Sequence, residues 1–288
     1  HQFDVLVAND LDTLPANFLI SRIRKTKLVY DSHEYFTEVP ELVNRNLAKG
    51  IWEKLERWMV PKMRHSYTVC KSIADIYNKK YGIDMKVIRN LPYSHSGYPD
   101  AESSKKTDEK IIIYQGSVNK GRGLELVIKS MQFLDNVRFW IIGEGDILSD
   151  LKILVEKLKL DTVVLFKGRM LPEELIQYTL QADAGISLEE NTGLNYYYAL
   201  PNKLFDYISS GVPVVVSDFP EMGSLVRKYD IGITTLTSDP QELAAIFKSM
   251  FNDPEKIRRW KKNCHKAALD LCWENEEKKL LDFYSTLI

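Results

Sequence analysis

The sequence predicts an α/β fold built on doubly wound parallel sheet, arranged as two domains. Its 288 residues exceed one domain of typical size. Short aliphatic or β-branched runs alternate with amphipathic stretches, the pattern of a parallel sheet covered by helices on both faces. A charged segment without an apolar stripe, Ala101–Lys110, divides the runs into two groups and reads as a linker.

The first group reads as strands Asp4–Ala8, Lys27–Tyr30, Tyr67–Cys70 and Lys86–Arg89, with helices between them. Asp10-Leu11-Asp12 has the spacing of a metal-holding Asp-x-Asp, but Asp12 is also placed to cap a helix starting near Thr13–Pro15. Capping is the role expected, and no metal is expected. Asn44–Arg64 reads as one long helix with Leu47, Ile51, Leu55, Trp58 and Met59 on one side and six basic residues interspersed. Such a face can lie on an anionic membrane or fill a core, and core packing is the expectation adopted. The second group reads as strands Ile111–Gln115, Val137–Ile142, Val163–Phe166, Ala184–Ser187, Pro213–Ser217 and Gly232–Thr235, with helices from Asp239 to Ile288 closing the chain.

A composition of 44% hydrophobic and 27% charged residues is that of an ordinary globular protein. A net charge of −1 gives no electrostatic case for a nucleic-acid partner. Cys70, Cys264 and Cys272 make no paired framework; Cys70 falls in an apolar run and reads as core, which suits a reducing compartment. Neither a secretory leader nor a membrane-spanning run is expected, and the expected location is cytoplasmic, with peripheral contact to the inner face of a membrane as a further option.

The stretch Ala199–Val216 carries the most chemistry. Pro201 suits the first turn of a helix, where a missing N–H costs nothing. Asn202 and Lys203 then sit where unpaired backbone N–H groups and the positive end of the helix dipole attract an anion. Asp206 lies one turn further along nearly the same face, Gly211 ends the helix, and Pro213–Ser217 is a buried strand. A cation at a helix start with a carboxylate one turn behind suits a nucleoside diphosphate, lysine on phosphate and carboxylate on ribose. The alternative is a surface helix on which Lys203 and Asp206 form an i,i+3 pair. As an exposed helix-start residue, Lys203 is expected to contribute under about 1 kcal/mol to stability.

Leu200–Ser217 resembles the nucleotide-sugar signature of the retaining glycosyltransferases of family 4, which have the GT-B fold of two Rossmann-like domains. In particular it resembles the subgroup reading Leu-Pro-Asn-Lys-Leu-Phe-(Glu/Asp)-Tyr before a Gly-x-Pro-Val-Val strand. The resemblance implies that Asp206 binds the donor ribose and that the preceding helix start faces the diphosphate. It implies residues 1–100 as an acceptor-side N-terminal domain, 101–110 as the linker, 111–270 as the nucleotide-sugar domain, and 271–288 as a terminal helix returning to the first domain. In the family Asp4–Ala8 would lie in the middle of the N-terminal domain, so that domain is expected to lack its first part.

Further segments carry candidate residues. In Tyr114–Leu124, glycines and a helix start can admit phosphate, and Arg122 adds a fork for its oxygens; the alternative is a glycine-rich turn with solvated cations. The segment resembles the family's Gly-x-(short loop)-Lys-Gly, with Gly116 first and Arg122 at its lysine. Ser117 stands where the family often has arginine, and Lys120 is close enough in sequence to compensate. Gly143-Glu144-Gly145 lacks the third glycine of a dinucleotide fingerprint, and the resemblance makes Gly143 a wall of the donor cleft. Arg169, after Gly168, resembles the position flanking the nucleotide base; a strand-ending turn with an exposed arginine is the competing reading. His33, in Asp31-Ser32-His33-Glu34 at the carboxyl end of a strand, is a structural histidine or, as the resemblance implies, one that faces the donor sugar. Many family members carry two glutamates eight residues apart, and counting back from Asp206 lands on Tyr198. Either Glu189 or Glu190 therefore swings in from the preceding loop, or tyrosine hydroxyls and backbone take that role.

These readings imply a retaining, metal-independent glycosyltransferase, with Arg122, Lys203 and His33 as catalytic residues and Gly116, Ser117, Gly143, Arg169, Asn202 and Asp206 as substrate-binding residues. It needs no cofactor beyond its nucleoside-diphosphate-sugar donor, and its acceptor is a hydroxyl of a saccharide or lipid-linked molecule. A nucleotide-sugar-binding module without turnover and a UDP-sugar epimerase of GT-B architecture are the alternatives.

Overall fold

The computed structural model describes residues 3–43, 45–94 and 109–287. The first part of the chain forms β1 (Val5–Asn9), α1 (Asp10–Arg24), β2 (Lys27–Ser32), α2 (Pro40–Val43), α3 (Asn46–Met59), β3 (His65–Thr68), α4 (Lys71–Tyr81) and β4 (Lys86–Val87). It continues as β5 (Lys110–Gln115), α5 (Leu124–Ser130), β6 (Val137–Ile142), α6 (Leu148–Lys157), β7 (Val164–Gly168), α7 (Pro172–Thr179) and β8 (Ala184–Ser187). Then come α8 (Leu194–Tyr197), α9 (Asn202–Ser209), β9 (Val214–Ser217), α10 (Pro220–Tyr229), β10 (Gly232–Thr235), α11 (Pro240–Phe251), α12 (Pro254–Asp270) and α13 (Trp273–Ser285). Of the expected linker Ala101–Lys110, residues 101–108 lie outside the described residues.

Two compact units result. One comprises His1–Asn90, Asn191–Leu200 and Glu274–Ile288; the other comprises Leu91–Glu190 and Pro201–Trp273. In the first unit the strands run parallel in the order β1-β2-β3-β4. Phe283 of α13 packs edge-on against Tyr67 of β3, with ring centroids 5.2 Å apart, and the buried Glu276 carboxylate accepts the Arg89 N–H at 2.9 Å. The segment around α8 is tied to the same unit by Asn195, whose side-chain oxygen accepts the Tyr35 N–H at 3.0 Å and whose amide donates to Glu34 at 3.2 Å.

Three expectations for this unit change. The long helix stops at Met59 and becomes a 3-10 turn over Val60–Lys62, because Pro61 has no N–H to continue the ladder. The apolar stripe of α3 is also split: Met59 is buried and Leu55 packs against the core, but Leu47, Ile51 and Trp58 are 83%, 53% and 52% exposed. The buried face centres instead on Trp52, Leu55, Glu56 and Met59, rotated by about 100° from the face bearing Leu47, Ile51 and Trp58. Glu56 lies on that buried face. Its fully buried carboxylate accepts hydrogen bonds from Lys80 at 2.8 Å, from Tyr77 at 3.4 Å and from Tyr81. Finally, Asp12 is not a cap. Helix α1 begins at Asp10 after the extended Asn9, no side chain caps it, and Asp12 stands exposed in its first turn.

In the second unit six parallel strands run in the order β10-β9-β8-β5-β6-β7. Counted from β5, that is the doubly wound order 3-2-1-4-5-6 read from β7. The core is continuous, from Val127, Ile128 and Leu124 of α5 through Ile112, Phe139 and Ile141 to Phe247 and Trp260. Helix α9 lies against β8, where a Cβ at Gly185 would collide with the Tyr207 ring. Cys70, Cys264 and Cys272 are all buried and none is in a disulfide. Among the described residues, no helix is long and apolar enough to cross a membrane.

Candidate functional site

The order of strands in the second unit reverses between β5 and β8, and open α/β sheets hold ligands at the carboxyl ends of strands where this happens. Short backbone bonds lock the loops there. Gly116 N–H donates to Ile142 O, Gly143 N–H to Gly168 O, Val118 N–H to Glu144 O and Glu190 N–H to Gly121 O, all within 2.8–3.0 Å. Two glycines are required by this closeness. Gly143 has φ of +143° and a Cβ there would meet Gly116 O; Gly123 has φ of +70° and a Cβ would meet Leu188 O.

Glu189, two residues past the end of β8, turns inward and is fully shielded as a side chain. Lys203 Nζ lies 3.2 Å from its Oε1 and Arg122 Nη1 3.5 Å from the same oxygen, while the Ser187 hydroxyl donates to the carboxylate at 2.8 Å. The Ser217 hydroxyl donates to Glu189 O at 2.7 Å, fixing the backbone as well. Burial acts to raise the Glu189 pKa, but Lys203, Arg122 and Ser187 together hold it below its ordinary value. Burial pulls the Lys203 ammonium below its ordinary pKa, with Glu189 opposing that pull. Lys203 Nζ also sits 4.2 Å from the centroid of the Tyr114 ring.

This overturns the picture of an exposed helix-start lysine: Lys203 is 9% exposed. Pro201 stands just outside the first turn rather than in it, and α9 begins at Asn202. The i,i+3 pair does not form, because Lys203 turns to Glu189 and Asp206 to Gln115. The Gln115 amide donates to Asp206 at 3.0 Å, and its carbonyl accepts the Thr179 hydroxyl at 2.8 Å. Burial raises the half-buried Asp206 carboxyl above its ordinary pKa, with the Gln115 hydrogen bond acting against it.

The structure gathers Arg122, Lys203 and Glu189 into one contact, with Gly116 beside them: a Cβ at Gly116 would lie 3.7 Å from Lys203 Cε. Gly116, Ser117 and Asn202 are exposed, and Gly143 is half-buried. Arg122 is not a solvated cation, whereas Lys120 is exposed. Arg169 is exposed past the end of the edge strand β7, with β6 standing between that strand and β5. In the first unit, His33 is half-exposed: Asp31 holds its Nε2 at 3.1 Å, and its backbone N–H donates to Asp10 at 2.7 Å. The hydrogen bond to Asp31 raises the His33 pKa against burial, assisted by the charges of Asp31, Asp10 and Glu34. Gln115, Thr179 and Ser187 were not singled out in sequence; the only signal was that Gln115 and Ser187 are polar residues ending otherwise apolar strands.

A buried Lys203–Glu189–Arg122 charge cluster therefore stands beside the switch point of a doubly wound α/β sheet. The family model for glycosyl transferases group 1 matches residues 100–267. The chain is 23% identical over 292 aligned residues to chitobiosyldiphosphodolichol beta-mannosyltransferase of Debaryomyces hansenii, with 87% of this chain and 60% of that protein covered. It is 28% identical over 183 residues to alpha-monoglucosyldiacylglycerol synthase of Streptococcus pneumoniae, covering 61% of this chain and 38% of the other. The chain thus spans less than two thirds of the length of either relative. Among solved structures, Anabaena HepE in complex with UDP-glucose superposes with a TM-score of 0.81 at 16% identity, over 98% of this chain and 79% of HepE. Sucrose-phosphate synthase from Thermosynechococcus elongatus superposes at 0.80 and 18% identity, over 99% of this chain and 74% of the synthase. At these identities the superpositions carry the fold, which is the GT-B-like α/β fold of glycosyltransferases. The chain belongs to the group 1 glycosyl transferases.

Proposed function

We propose that the chain is a retaining glycosyltransferase of family 4 that moves a sugar from a nucleoside diphosphate to a hydroxyl acceptor without a bound metal ion. The observation that carries the reading is the Lys203–Glu189–Arg122 cluster beside Gly116, with the Asp206 carboxylate one helical turn along. Two cations converge on one buried carboxylate beside exposed loop backbone. Their positive ends suit the diphosphate as it leaves, and Glu189, itself held by Ser187, fixes them before the reaction begins. Asp206, oriented by Gln115, accepts the ribose hydroxyls in this scheme. The resemblance at Arg169 supports a contact with the base, although the arginine is distant in the sheet from the cluster.

The acceptor is proposed to be lipid-linked. The Debaryomyces and Streptococcus relatives are both named for lipid-linked molecules, one a dolichol diphosphate and the other a diacylglycerol. The test combines calorimetry with UDP and GDP and a donor-consumption assay in chelator. Nucleotide binding with chelator-resistant transfer supports the proposal. Binding without consumption would favour a binding module, conversion of a UDP-sugar without acceptor would favour an epimerase, and activity restored only by manganese would overturn metal independence.

A further inference from the structure

Ile112 and Tyr114 of β5 both pack into the core of the second unit, as alternation along a strand requires. Aliphatic side chains usually fill such positions in a parallel sheet, because a phenol brings a hydroxyl that must find a partner when buried. Tyr114 is fully buried, and its hydroxyl donates to Ser117 O at 2.5 Å, in the loop that follows the strand. Its ring has a second contact, the Lys203 ammonium, with Nζ 4.2 Å from the centroid. Both contacts converge at Gly116, where a Cβ would lie 3.7 Å from Lys203 Cε and 3.9 Å from the Tyr114 hydroxyl oxygen.

One side chain therefore holds two parts of the site that are distant in sequence, the loop after β5 and the start of α9. Its hydroxyl fixes the loop, and its ring offers a negative face to the ammonium. Burial disfavours the charged form of Lys203, Glu189 favours it and Arg122 opposes it. The ring adds support for that charge while staying neutral itself, so it does not repel an incoming anion as a second carboxylate would. Burial also pushes the Tyr114 phenol above its ordinary range, against Arg122 and with Glu189. The hydroxyl thus keeps its proton and serves as a donor, which excludes it as a general base.

We propose that Tyr114 is a positioning residue for the transfer reaction, setting the Gly116–Ser117 loop and the Lys203 ammonium at the spacing that receives the diphosphate. The inference rests on the reading of the Lys203–Glu189–Arg122 cluster as the diphosphate site, and adds to it the residue that spaces the loop from the cation.

The test uses Tyr114→Phe, which keeps the ring and removes the hydroxyl, and Tyr114→Leu, which removes both. Titration of the full chain with UDP and GDP, and separately with uridine and guanosine, reads the diphosphate apart from the nucleoside. Tyr114→Phe should weaken diphosphate binding about fivefold and Tyr114→Leu about 30-fold, with nucleoside affinity unchanged in both. In chain carrying isotope-labelled lysine, the Lys203 NMR signal is identified by its loss in Lys203→Met. It should titrate as in the parent in Tyr114→Phe and at lower pH in Tyr114→Leu. A merely structural role would lower the melting temperature and move neither the diphosphate preference nor the Lys203 titration. Tyr114→Phe differs by one oxygen and carries the test by itself where the leucine variant does not fold. Diphosphate affinity within about twofold of the parent in the phenylalanine variant, or nucleoside affinity falling in step with it, would overturn the proposal. So would a Lys203 that titrates alike in all three chains. A parent chain that binds neither UDP nor GDP would instead overturn the diphosphate reading, and the proposal with it.

Discussion

Replacing Lys203 by methionine keeps most of the side-chain volume and removes the cation. Glu189, fully shielded, would keep Arg122 at 3.5 Å and the Ser187 hydroxyl at 2.8 Å. Breaking a buried pair from one side costs about 3–5 kcal/mol, and the two remaining partners place this case near 3 kcal/mol. For a unit of this size, that lowers the melting temperature by roughly 6–12 °C. Loss of a charged hydrogen-bond donor to phosphate should also weaken nucleotide binding by about 1.5–3 kcal/mol. Transfer, measured as kcat/KM, should fall by about 10²–10³. The double variant Lys203→Met with Glu189→Gln separates the effects: it should regain most of the lost stability and none of the nucleotide affinity. Calorimetric melting and nucleotide titration read the two quantities. A single variant that melts within about 2 °C of the parent would refute the buried pair. Transfer within about threefold of the parent would refute the phosphate role.

Asp206→Asn should weaken nucleotide binding by about 1–3 kcal/mol, with a 2′,3′-dideoxy nucleotide binding parent and variant alike; a variant that still prefers the ribose form as strongly as the parent refutes the assignment. Because burial raises the Asp206 pKa, nucleotide affinity should fall, as pH is lowered, at a higher pH than an ordinary carboxylate would give, and the asparagine variant should lack this dependence. His33 should titrate above its ordinary value of 6.5 in NMR, and Asp31→Asn should bring it back down. Its folded pKa is raised, so the stability it contributes is complete below the unfolded value and is lost as pH rises through the folded one; an Asp31→Asn melting curve parallel to the parent's across that window would refute the link. Asp12→Ala should cost under about 1 kcal/mol in urea unfolding, since the exposed carboxylate makes no cap hydrogen bond and sits in the first turn facing the helix dipole; a loss approaching 2 kcal/mol would restore the cap.

Much of the second unit was legible in the sequence because most of its strands are apolar or β-branched runs bounded by turn residues. Val137–Ile142, Ala184–Ser187 and Gly232–Thr235 form with the bounds their hydrophobicity predicts, and Gly211 follows the end of α9 in the left-handed conformation expected of it. Periodicity is a local property and is read locally. It failed on α3, because the pattern places the buried face by apolarity alone. The face that is buried also carries Glu56, held inside by Lys80, Tyr77 and Tyr81, residues more than twenty positions away.

The candidate site divides in the same way. Composition and spacing alone singled out Lys203, Asp206, Arg122 and the glycines near them, since helix starts and glycine turns are short-range features. Spacing does not say which of Glu189 and Glu190 turns inward, nor which partner each charge takes. The tertiary structure decided both. Glu189 meets Lys203 fourteen residues on and Arg122 sixty-seven residues back only because β5 and β8 are neighbours in the sheet. The same adjacency buries the lysine that the sequence alone left in solvent. Strand order depends on how the crossovers pack, and no local stretch of residues encodes it.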